Sequence, residues 1–290
     1  MLRLLRTSYI SSQDETGNFN WSAVLKLYSD LPARQTSQIE IDTPKVLSHV
    51  ILDPENVFSV CNNIYRAREN ARAVQDHITR EVWQCLNDYH HLVRNQLINT
   101  QILHGDLVSA FDTLIQQGML YHGTVDITME RGEGFNFLSI GKYLERAILT
   151  TDMLMIRLLE AREKHDTTED SKWRYMLYTL SGYELFIKTY RGNFEPANVV
   201  DHVLFNTYFP HSVLYCLTAL TNAFEKLKSE SLPENYNEVE FFIGRALNNV
   251  KYSNIDNADY DTLLQFLSKT RTEIFQISNA FNLHYFGNPS

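Results

Sequence analysis

Three short motifs hold most of the charged chemistry in this chain. Ala67-Arg68-Glu69-Asn70-Ala71-Arg72 sets two guanidinium groups about one helical turn apart with a carboxylate between them. A guanidinium fork matches the oxygens of a carboxylate or an acyl phosphate. Arg131-Gly132-Glu133-Gly134 flanks a glutamate with glycines at a helix start, where close backbone approach and free N–H groups could hold an anion. Glu145-Arg146 completes the set. Glutamates so placed are candidates for acid–base work, and the arginines for clamping an anion. A plainer reading stands beside it. Glu69 and Asp76 reach Arg72 at i+3 and i+4, as on any solvated helix face. Exposed pairs of that kind are worth only about 0–1 kcal/mol. Glu133 would likewise be an acid facing a helix dipole.

The elements that must position these groups are helices. Glu130 to Leu159 contains no proline and reads as one long helix. Its apolar residues point to every side, which predicts burial all round. Lys142, Glu145, Arg146, Asp152 and Arg157 break any run long enough to span a membrane. Glu145 shares an angular sector with Leu138 and Ile156, so partial burial and a cationic partner are expected for it. In the earlier motif, Val60, Ile64, Ala67, Ala71, Val74 and Ile78 make one helical stripe whose alanines admit a close neighbour. Arg68 and Arg72 border that stripe. They are expected to turn inward, towards Glu133 and Glu145.

The whole chain reads as all-α. Gly 11 and Pro 7 among 290 residues favour long helices over many short strands. The spacing predicts helices over Trp21–Leu31, from Thr43-Pro44, from Asp53-Pro54 (with Asp53 as N-cap) to about Gln75, and over Leu107–Tyr121. Further helices follow at Trp173–Tyr190, Pro196–Phe205, Pro210–Lys228, Glu234–Lys251 and Tyr260–Tyr285. Ser11–Asn20 reads as a loop and Lys164–Ser171 as a charged linker.

Two halves can be laid on each other. Trp21 falls on Trp173, Val46-Leu47-Ser48-His49-Val50 on Val199-Val200-Asp201-His202-Val203, and Cys61 on Cys216. The expected architecture is therefore a helical bundle of two pseudo-repeated halves within one compact domain. The first repeat covers 1–127, with its first helix missing, and the second covers 128–290.

A net charge of −9 and the lack of a basic run argue against nucleic acid as a partner. Three scattered cysteines fit no metal spacing and suit a reducing compartment, and the first ten residues make a poor secretion signal. A cytoplasmic protein with no membrane partner is expected. Asp88-Tyr89-His90-His91 offers one carboxylate–histidine step where a di-iron bundle needs two, so no metal and no cofactor is expected. His49 and His202 lie on otherwise apolar faces and read as structural.

Taken in order, Ala67-Arg68-Glu69-Asn70-Ala71-Arg72, Arg131-Gly132-Glu133-Gly134-Phe135 and Gly141-Lys142-Tyr143-Leu144-Glu145-Arg146-Ala147 resemble the motifs of the bacterial alpha-E domain family. The resemblance covers essentially the whole chain. It implies an all-helical protein that accompanies an ATP-grasp ligase-like protein, and often a transglutaminase-like one, in peptide formation or modification. It also implies a shared polar site at Arg68, Glu69, Arg72, Arg131, Glu133, Glu145 and Arg146, in which Glu133 or Glu145 would act as acid or base and Arg68, Glu69, Arg72, Arg131 and Arg146 would bind the substrate. The alternative is a non-catalytic helical scaffold whose charges only fix the fold. Lys142 stands where the family usually has Arg, and Ile148-Leu149 replace a polar pair. Typical members begin with a Gly-Arg-Tyr-Leu-Glu-Arg-like helix, and this chain starts just after it. The groove so left is expected to favour a homodimer.

Overall fold

A computed structural model of the chain describes residues 1–14, 20–163, 169–228, 236–255 and 258–287. Among these residues every regular element is a helix and none is a strand. The chain divides into two compact units, Met1–Glu130 and Arg131–Ser290.

The first unit opens with α1 (Leu2–Asp14), α2 (Ser22–Tyr28), α3 (Ala33–Ile39) and α4 (Thr43–Leu47). A widened π-helical turn, Ser48–Leu52, extends α4. Then come α5 (Val60–Ala73), α6 (Arg80–Val93), α7 (Gln96–His104) and α8 (Leu107–Thr128). The α6 helix packs against both α5 and α8, and α1 lies on α8. Trp21, Leu25, Leu47, Ile51, Phe111 and Leu114 are fully buried and form its core. The Trp21 indole N–H also donates to Thr43 Oγ1 at 2.9 Å, tying the start of α2 to the start of α4.

The second unit is built on α9 (Glu133–Glu163), which packs against α13 (Val213–Lys228) and α15 (Tyr260–Tyr285). Between them come α10 (Glu169–Leu180), α11 (Tyr183–Tyr190), α12 (Pro196–Phe205) and α14 (Tyr236–Lys251). Leu154, Trp173, Phe186, Phe209 and Phe224 are fully buried. The buried Arg157 guanidinium lies 4.8 Å from the centre of the Trp173 ring, which shares the cost of burying that charge.

Several sequence expectations need correction. The helix carrying Arg68 and Arg72 does not begin at Asp53. Ser59 caps it, accepting the Asn62 N–H at 3.2 Å, and Asp53 instead ends the preceding π-turn. The α1 helix runs to Asp14 rather than giving way to a loop at Ser11, and α8 runs on to Thr128. The α9 helix is not buried all round. Leu138, Gly141 and Glu145, spaced three and four residues apart, form a solvent-exposed stripe along it. Residues 15–19 of the loop read at Ser11–Asn20 and residues 164–168 of the charged linker read at Lys164–Ser171 lie outside the described residues, and the end of that linker begins α10.

Candidate functional site

The Arg68 motif lies on α5, and α6 returns alongside it after a 3-10 turn, Gln75–His77. Thr79 caps the return helix, accepting the Val82 N–H at 3.3 Å and sharing a 2.8 Å hydrogen bond with Thr128 of α8. Arg68 is held from three directions. Its Nε donates to Asn87 Oδ1 at 2.7 Å, its Nη1 donates to Glu69 Oε1 at 2.7 Å, and its guanidinium stands 5.5 Å from the centre of the Trp83 ring. Arg72 is different. Its side chain is 66% exposed and touches Glu69 only at 3.8 Å. The result is one guanidinium held by three contacts, one largely exposed, and a carboxylate between them. That is the composition of a clamp for a planar or tetrahedral anion.

His90, one turn beyond Asn87 on α6, belongs to the same group. Its ring is buried, and neither nitrogen has a hydrogen-bond partner among the described residues. Burial lowers its pKa first, and the neighbouring Arg68 and Arg94 charges lower it further, against the pull of Glu69. A neutral, unsatisfied imidazole is thus held in the field of the same arginine and glutamate. Sequence reasoning missed Trp83, Asn87 and His90 as one set. Their spacing of four and then three residues places them on one face of α6, which is the signal that would have found them. No three His, Cys, Asp or Glu side chains among the described residues are grouped as a metal site would need.

Arg131, Glu133, Glu145 and Arg146 lie at the start and middle of the second unit. Arg131 rests 4.1 Å from the centre of the Phe135 ring. Glu133 is exposed in the first turn of α9, and its charge helps raise the pKa of Tyr285, behind the larger effect of burial. The Glu145-Arg146 step splits. Glu145 faces solvent, while Arg146 turns to Tyr143 at 5.8 Å. Tyr143 in turn lies 6.1 Å from Tyr215 of α13. There the Arg146 and Lys142 charges oppose the burial that pushes the Cys216 thiol up to about 12.

The expected burial of Glu145 is therefore wrong. Its sector was correctly matched to Leu138, but Leu138 is itself 37% exposed. A single leucine on a helix does not mark a core-facing side. Twelve residues of helix also separate Glu133 from Glu145 by about 18 Å along the axis, so the two cannot serve one reacting atom. Arg68 and Arg72 take Glu69 as their carboxylate partner within their own helix.

The alpha-E family model, described as a predicted alpha-helical domain with a conserved ER motif, matches residues 1–286. Glu-Arg occurs here at Glu130-Arg131 and at Glu145-Arg146. Among curated proteins the chain is similar to uncharacterized proteins of Mycobacterium bovis and Mycobacterium tuberculosis. Each is 24% identical over 191 residues, which cover 65% of this chain and 21% of the relative. The chain thus matches about a fifth of the length of these relatives. No solved structure matches it.

Proposed function

The chain belongs to the alpha-E domain family, and on that premise we propose that it is a component of a bacterial peptide-forming or peptide-modifying system, acting with an ATP-grasp ligase-like partner in the cytoplasm. The observation that carries this reading is the prepared guanidinium pair on α5. Arg68 is fixed by Asn87, Glu69 and Trp83, and Arg72 is left open to solvent. Such a pair suits the carboxylate that a ligase activates or the acyl phosphate it makes. Arg131 and Arg146 are further anion-binding groups in this reading, and Glu133 or Glu145 is an acid–base group. Two further facts support it. In the mycobacterial relatives the matching region is a part of a much longer protein, as expected of a module that works beside another. The three cysteines are unpaired, which fits a reducing compartment, and no described helix is long and apolar enough to cross a membrane.

A second reading, a non-catalytic scaffold, draws on one specific observation. Both Glu133 and Glu145 are solvent-exposed, without the dry surroundings in which acid–base groups are tuned. Co-expression with an ATP-grasp protein encoded nearby tests the pairing. The complex should co-purify, and its ATP turnover should fall with Glu145→Gln or Glu133→Gln if that residue is the acid or base. Co-purification with turnover indifferent to both changes would favour the scaffold, and failure to co-purify would remove the partner from the account.

A further inference from the structure

The strongest arrangement of reactive groups outside the charged motifs lies in the first unit, where three polar side chains form a relay. Ser29 Oγ is 2.9 Å from His49 Nε2, and His49 Nδ1 is 2.9 Å from Asp53 Oδ2. Each imidazole nitrogen faces the partner that an activated serine requires, with the hydroxyl on one side and the orienting carboxylate on the other. We propose that Ser29, His49 and Asp53 form a nucleophilic triad that accepts an acyl group from an ester or similarly activated acyl donor. The inference rests on this geometry alone and not on the ligase-partner reading.

The local fold explains why the three meet. Ser29 ends α2 in an extended conformation, His49 sits on the π-helical turn, and Asp53 closes that turn four residues later. Widened turns of this kind are frequent at functional sites. Asn56 fastens the pieces together. It is almost wholly buried, and its Nδ2 donates to Tyr28 O at 2.9 Å and to His49 O at 3.1 Å. The residue before the serine and the histidine itself therefore share one clasp. Only 10% of the His49 side chain is exposed, while 34% of Asp53 is open to solvent. Partial burial works against the Asp53 carboxylate, yet hydrogen bonds from His49 and from the Glu55 and Asn56 amides outweigh it and hold its pKa below the ordinary value.

His202 shows what a structural histidine looks like in this chain. It is fully buried, stacked 4.8 Å from Phe209 and edge-on to Phe186. Its Nδ1 meets an amide, Asn206, at the same i+4 spacing that Asp53 has from His49. The His49 group has a carboxylate in that place, a hydroxyl on the other nitrogen and access to water.

The step balances within the triad. His49 Nε2 takes the Ser29 hydroxyl proton as Oγ bonds the acyl carbon. The bond to the leaving alcohol breaks, and that alcohol takes the proton from Nε2. Water, activated the same way, then releases the acid and restores Ser29, so the net reaction is ester plus water to acid plus alcohol. The Leu31 N–H donates to Ser29 Oγ at 3.1 Å. The Asp30 N–H has no hydrogen-bond partner among the described residues. The amide following the nucleophile is the donor that many acyl-transfer sites offer to the developing oxyanion.

The test uses the full chain and a biotinylated fluorophosphonate, followed by peptide mass spectrometry. The expected result is a covalent adduct on Ser29 that disappears in Ser29→Ala. The labelling rate should fall about 100-fold in His49→Gln and in Asp53→Asn, as loss of a general base or its orienter predicts. Asp53 is more open to solvent than His49, so Asp53→Asn keeps the test valid should the His49 variant misfold. No adduct on Ser29 in the native chain would overturn the proposal. So would an adduct formed equally fast in folded His49→Gln or Asp53→Asn protein.

Discussion

Single residues in this chain differ in what their charges cost. His202 is fully buried between aromatic rings, and burial lowers its pKa to about 4. The unfolded chain binds that proton with the ordinary histidine affinity, so protonation favours unfolding. The stability associated with His202 is complete above about pH 6.5. It is lost as pH falls towards 4, by roughly 3 kcal/mol over that window. Urea denaturation at pH 7 and pH 5 should show a loss that shrinks in His202→Phe. An equal loss in both proteins would assign the acid sensitivity elsewhere. The two arginines of α5 separate in the same way. Arg68→Ala removes hydrogen bonds to Asn87 and Glu69 and the Trp83 contact, and should cost about 1–3 kcal/mol in chemical denaturation. Arg72→Ala, at a largely exposed position, should change stability by less than about 0.5 kcal/mol.

At the scale of elements, glycine positions report how tightly each helix is packed. Gly141 lies on the exposed stripe of α9, and a Cβ there would meet nothing within 4 Å. Gly141→Ala should stabilise the protein by about 0.5–1 kcal/mol. Gly182 is buried before α11, and a Cβ there would come within 2.6 Å of the Phe209 ring. Gly182→Ala should destabilise by about 1–3 kcal/mol, and thermal melts of the two variants should move in opposite directions. These elements also show how far the sequence was legible. Punctuation residues worked where they act locally. Pro44 and Pro196 begin helices, and Arg191 and Gly192, both at positive φ, end α11. The Asp53 reading failed because its side chain was committed to His49, a partner that composition cannot reveal. The α9 reading failed because periodicity gives the angle of a residue but not which sector faces neighbours. The three charged motifs were found as motifs. What fixes Arg68, namely Asn87 and Trp83, comes from another helix and appears only once α5 and α6 pair.

Across the whole molecule, the two compact units carry different groups. Arg68, Arg72 and the Ser29 relay belong to the first, and the long α9 with its split Glu145-Arg146 step belongs to the second. One Glu-Arg step, Glu145-Arg146, lies in the second unit and the other, Glu130-Arg131, falls at the division between the units, while the arginine pair of the proposed site is on α5. In the proposed function, dependence should follow Arg72, whose loss is expected to spare the fold, rather than overall stability. We propose that the two units are related by duplication, with Trp21 matching Trp173 and His49 matching His202. The measurement that bears most directly on this account is the ATP turnover of the ATP-grasp-like partner with the native chain and with Arg72→Ala, both checked to unfold at the same denaturant concentration. The account predicts a fall of about 100-fold in the chain-dependent turnover of the variant, as loss of a charge-stabilising group implies. Equal turnover from the two equally stable proteins would contradict it.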